Sequence, residues 1–145
     1  MRTTKKTKSD EYIQVFMMQS YALNELLAIL KGICQNLDLS YLNPKIKHFK
    51  YFRFTFFGLM VKAKSLLDMI IFKIEFVKSN ATGYKDLYKD LLRCKKNMEA
   101  AYNLVYKNKM NEGKNKIIQV AEEYAEIFKN IQNIGIGRLN EDAKQ

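Results

Sequence analysis

Apolar residues recur along this chain at steps of three, four or seven over four long stretches, the spacing that places side chains on one face of a helix turning every ~3.6 residues. In the first stretch the stripe is Phe16, Leu23, Leu26, Leu30, Ile33 and Leu37. Ser9 is a residue type that accepts a bond from an orphan N–H at a helix start, and Asp10 and Glu11 set negative charge against the positive end of the helix dipole. The spacing predicts a helix over residues 10–37. Asn43-Pro44 then offers a capping side chain followed by a proline at the first helical position, where its missing N–H costs nothing. A second helix is expected over 44–78, its seam running Phe49, Phe52, Phe56, Leu59, Ala63, Leu66, Ile70, Ile74 and Val77. The run Phe52-Arg53-Phe54-Thr55-Phe56 also alternates with period two and is rich in strand formers, but the longer rhythm favours helix.

Ser79-Asn80-Ala81-Thr82-Gly83 breaks the pattern with small, turn-forming residues and is read as a loop. Helix three resumes over 84–110 with the most regular heptad of the chain: Tyr84, Leu87, Leu91, Cys94, Met98, Ala101 and Val105. After Met110-Asn111-Glu112-Gly113 a fourth stripe, Ile117, Ala121, Tyr124, Phe128 and Ile131, predicts a helix over 113–134, with Gly135-Ile136-Gly137 as its stop. Four amphipathic helices with short connections bury their stripes most simply by packing antiparallel. The fold class expected is all-α, a single up-down-up-down four-helix bundle over 10–135, with a basic flexible tail at 1–9 and a polar tail at 136–145.

Composition agrees with one such domain: 145 residues, 48% apolar, one proline and six glycines exclude disordered and collagen-like classes. A domain of this size buries roughly 68% of its unfolded surface without metal or disulfide. Cys34 and Cys94 show no CxxC or Cys/His grouping, so both read as buried helix cysteines in a reducing, cytoplasmic setting. The cationic N-terminus runs into Ser9-Asp10-Glu11 where a secretory leader needs an apolar run. The most apolar stretch, 49–77, carries seven charged residues, too many for a membrane span.

Charge changes the picture more than composition does. The formal net charge is +10, and between Leu39 and Leu67 stand Lys45, Lys47, Lys50, Arg53, Lys62 and Lys64 without a carboxylate, so no i,i+4 partner neutralises them within the helix. An up-down bundle would set Lys107, Lys109, Lys114 and Lys116 at the same end as Lys45 and Lys47. Uncompensated cations attract polyanions by releasing condensed counterions, so Lys45, Lys47, Lys50, Arg53, Lys107, Lys109, Lys114 and Lys116 are the candidate contacts to RNA or DNA phosphates. The same excess fits a solvated face, or a basic face that grips an acidic protein, as an immunity or inhibitor module would. Tyr51, Phe54, Phe57, Met60 and Ile71 fall off the seam of helix two; the three rings suit base stacking, and all five suit, better, packing against a second copy of the chain or another subunit.

Catalytic apparatus is not legible. The sole histidine, His48, has no nucleophile or acidic orienter at recognisable spacing, and no glycine-rich phosphate loop follows a strand. Glu122, Glu123 and Glu126 with Asp68 or Glu75 lack the Glu-x-x-His pairs that complete a di-iron bundle, so neither metal nor cofactor is expected. With its helix lengths, the Asn43-Pro44 start of helix two, the basic first half through Arg53 and a closing helix reading Glu126-Ile127-Phe128-Lys129-Asn130-Ile131, the chain resembles the bundle family of ribosomal-RNA intervening-sequence proteins and diversity-generating-retroelement accessory proteins. The resemblance covers about residues 10–135. It implies a basic, ring-forming, noncatalytic bundle that binds RNA or DNA and a larger enzyme, a reverse transcriptase.

Overall fold

The computed structural model describes the backbone of residues 8–77 and 84–144, and side chains over 14–75 and 85–133. The expected loop at 79–83 and most of the N-terminal tail lie outside the described residues. Four α-helices account for most of the described residues: α1 (Lys8–Asn36), α2 (Lys50–Val77), α3 (Tyr84–Tyr106) and α4 (Met110–Lys144). Each packs against its neighbours in sequence and α4 returns to α1, closing the antiparallel ring. The stretch at 52–56 is helical, as the longer rhythm required. No helix among the described residues is long and apolar enough to cross a membrane.

The core is one cluster drawn from all four helices. The stripe of α3 is buried at Leu87, Leu91, Cys94, Met98, Ala101 and Val105, and that of α4 at Ile117, Ala121, Tyr124, Phe128 and Ile131. In α1 the stripe is wider than expected, taking in Leu27 and Cys34, while Leu37 ends up exposed. Tyr124 is the largest wholly buried side chain, and its hydroxyl must find an acceptor; it donates to the Ser20 carbonyl oxygen across the core at 3.2 Å. Ser20, also buried, donates back to the Phe16 carbonyl at 2.7 Å. Ion pairs stitch the outside: Lys31 to Glu122 at 3.4 Å, Arg93 to Glu123 at 3.1 Å and Lys95 to Asp68 at 3.0 Å.

Five expectations are corrected. Ser9 does not precede α1, which already includes it from Lys8. Pro44 does not open α2: Asn43 accepts from the Ile46 amide through its carbonyl and from the Lys45 amide through its side chain, both at 3.0 Å. Asn followed by Pro suits the first two positions of a β-turn as well as a helix start, and here burial of Leu39 and Leu42 favours a strap across the bundle end. That strap contains two 3-10 turns, Leu39–Leu42 and Lys47–Phe49, and α2 begins only at Lys50. Helix three ends at Tyr106, not 110: the Lys109 amide reaches the Leu104 carbonyl at 2.8 Å and the Asn108 amide the Val105 carbonyl at 3.0 Å, with Asn108 left-handed at φ 64°. This is a Schellman closure with asparagine, which tolerates that conformation, in place of glycine.

Helix four begins at Met110 rather than at 113, so Gly113 lies within its first turn, where a Cβ would stand 2.6 Å from Val105 Cγ2 and 3.2 Å from its amide nitrogen. Finally, Gly135 and Gly137 do not stop α4, so the expected tail at 136–145 is helical through Lys144. Interior glycine costs only ~1 kcal/mol, and no proline follows to enforce a break.

Gly113→Ala is expected to lower Tm by a few degrees, because overpacking of ~1–3 kcal/mol outweighs the ~1 kcal/mol propensity gain. Gly32→Ala, where a Cβ meets nothing within 4 Å, is expected to raise it. Burial pushes the Cys34 thiol up from 9.0 to about 11, against a smaller lowering from Lys114, and the Cys94 thiol up to about 12. Burial likewise raises the Tyr124 hydroxyl. A raised folded-state value means stability that is complete below the unfolded value and lost as pH climbs through the folded one. Tm should therefore hold level up to about pH 9 and fall from there toward about pH 11 to 12, less steeply in Cys34→Ala/Cys94→Ala, as calorimetry across alkaline buffers would show.

Candidate functional site

The strap and the α3–α4 turn meet at one end of the bundle. Residues from both, Pro44 and Asn108, line a single groove of about 800 Å³ between α2 and α3. Its base is the buried Leu42 and Val105; α2 contributes Phe54, Phe57, Gly58 and Val61, and α3 contributes Tyr102 and Tyr106. Lys50 and Arg53 supply its charge, and no carboxylate lines it. The expectation that the two basic segments share one end thus holds for the strap and for the turn that carries Lys107 and Lys109.

Local chemistry positions each part. Asp38 starts the strap by accepting from the Ser40 amide at 2.9 Å, and those bonds to Ser40 hold its carboxyl below the usual range, with Lys114 adding to the effect. Tyr41 stacks on Phe49 with centroids 4.2 Å apart, tying the two 3-10 turns of the strap together. Arg53 Nη1 donates to the Asn43 carbonyl at 3.1 Å, so this half-buried guanidinium braces the turn with one donor and keeps others for a ligand. Tyr102 is fixed on two sides: Phe57 meets it edge-on at 5.7 Å, and the Lys64 ammonium lies 4.7 Å from its centroid. Tyr106 follows one turn later, its ring nearly parallel to that of Tyr102 at 11° and 6.2 Å, and is 70% exposed.

The predicted residues divide. Lys45, Lys47 and Lys50 are exposed on the strap and the first turn of α2, Lys107 and Lys109 flank Asn108, and none of these five has a carboxylate within ion-pair distance among the described residues. Lys114 and Lys116 lie further into α4, outside the groove. Of the five residues expected at a partner interface, Met60 (2% exposed) and Ile71 (7%) belong to the core, and Phe57 is half-buried against Phe56 and Tyr102. Helix two is apolar nearly all round, so periodicity alone does not select its inner face; α1 and α3 cover the Met60, Leu67 and Ile71 side and leave Leu59 and Leu66 only half-buried. Tyr51 (87%) and Phe54 (78%) do stand clear, joined on the outer face of α2 by Val61, Met69 and Phe72.

Sequence reasoning missed Tyr102, Tyr106, Gly58 and Asn108. Tyr102 and Tyr106 form an i,i+4 aromatic pair off the stripe of helix three, a signal that was present but had no partner until α2 was placed beside it. The carboxylates considered for a metal are otherwise engaged: Glu122 with Lys31, Glu126 with Lys129 at 3.2 Å, and Glu123 with Arg93 and, at 3.0 Å, the Asn97 amide. No protein family, curated protein or solved structure matches the chain.

Proposed function

We propose that this protein is a noncatalytic nucleic-acid-binding bundle, an accessory subunit of a larger nucleoprotein or mobile-element complex, which meets its polyanion at the strap end. The observation that carries this reading is the meeting of two basic segments, Lys45–Lys47–Lys50–Arg53 and Lys107–Lys109, around a groove with no acidic lining. Cations with no neighbouring carboxylate can neutralise phosphates and so release the counterions condensed on the nucleic acid. The resemblance to the intervening-sequence and retroelement accessory bundles supports the accessory role, with a reverse transcriptase as the larger partner. The exposed stripe Tyr51, Val61, Met69 and Phe72 on α2 supports self-association.

If about four phosphates are neutralised on duplex DNA, log affinity falls against log salt with a slope of about −3.6. Lys47→Glu/Lys107→Glu is expected to weaken binding to all sequences alike and to reduce that slope by about 2. Lys85→Glu/Lys89→Glu, the same change in net charge on the first turns of α3 and far from the strap, should leave affinity nearly unchanged. Salt-insensitive binding, or none to RNA or DNA at low salt, would shift the assignment to a basic face for an acidic protein. Light scattering at micromolar concentration should give more than one chain per particle, and a monomer at every concentration would remove self-association.

A further inference from the structure

We propose that the groove between α2 and α3 is a base-stacking site for single-stranded nucleic acid, an unpaired base lying against Tyr106 and Phe54 while Lys50 and Arg53 hold the adjoining phosphates. This rests on the nucleic-acid reading above and narrows it to a substrate class. A groove of about 800 Å³ is within the ~300–1,000 Å³ range of ligand sites. Its chemistry is that of a nucleotide's complement: aromatic faces for a base, cations for phosphate, and the Asn108 amide for a base edge. Tyr106 is a prepared platform, since Tyr102 beneath it is held by Phe57 and Lys64 and fixes the plane to which Tyr106 lies nearly parallel. Gly58, mid-helix between Phe54 and Val61, leaves the α2 wall without a side chain, and a Cβ there would meet nothing within 4 Å. Duplex bases are locked in their stack and cannot enter such a recess without being flipped out, so the site selects unpaired strands.

Fluorescence anisotropy with four labelled probes of equal phosphate count tests this: a uridine RNA strand, a deoxythymidine DNA strand, an abasic strand and a duplex. Either base-bearing strand should bind at least about fivefold tighter than the abasic strand, the effect of one stacked base, and the ratio of the two strands assigns RNA or DNA as the preferred source. Tyr106→Leu and Phe54→Leu, both at exposed positions, should each remove about fivefold or more from strand affinity and leave abasic binding unchanged. Gly58→Leu puts a side chain into the groove from a position where a Cβ meets nothing within 4 Å; it should keep or raise Tm yet bring strand affinity down to the abasic level. As the chain has no tryptophan, its tyrosine emission should be quenched by the strands in the native protein and much less in Tyr106→Leu. Equal affinity for base-bearing and abasic strands, or variants that bind strands as the native protein does, overturns the stacking site and leaves phosphate binding at the strap end standing. No binding to any of the four probes at low salt overturns both.

Discussion

The geometry of the basic end depends on one constraint: each helix carries an apolar stripe that it cannot bury alone, and buries it against the helices beside it, its neighbours in sequence and, for α1 and α4, each other. Antiparallel packing follows, and with it the placement of the strap and the α3–α4 turn at the same end. The strap is itself part of the core, because Leu39 and Leu42 are buried beneath it. Inside this packing the Tyr124 hydroxyl donates to the Ser20 carbonyl, so the largest buried ring fixes α4 against α1 without an unpaired donor.

The groove arises from the sizes of the side chains along one helix pair. Ala63 of α2 and Ala101 of α3 are buried near mid-bundle, where small side chains let backbones approach. Toward the strap the contact passes to Phe57 and Tyr102, whose rings meet edge to face. Between these two contacts the α2 wall is interrupted by Gly58, a residue that costs about 0.5–1 kcal/mol in a helix interior and has no packing neighbour to justify it. An open groove with exposed aromatic walls is the physical result.

Charge is sorted by the same packing. Several carboxylates of the described residues are drawn into pairs between helices, Glu122 to Lys31, Glu123 to Arg93 and Asp68 to Lys95. Exposed pairs of this kind contribute little stability, ~0 to 1 kcal/mol each. Their larger consequence is positional, since they hold negative charge on the sides of the bundle while the strap and the α3–α4 turn keep cations without neutralising partners.

The sequence by itself determined the number and type of the helices, the stripes of α3 and α4, and the carboxylate-free run that contains Lys45, Lys47, Lys50 and Arg53. Those features are local: amphipathic spacing and charge per segment are written in consecutive residues, and α3 was legible because polar residues fill its outer face. Only the tertiary structure decided which side of α2 faces inward, since a helix apolar nearly all round is oriented by what covers it, and Met60 and Ile71 therefore went to the core. It also decided between two local meanings of Asn43-Pro44, because burial of Leu42 rewards the turn over the helix start. The groove was the least legible of all. It joins Phe54 and Gly58 to Tyr102 and Tyr106 from helices that meet only on folding, and no window of sequence contains both walls.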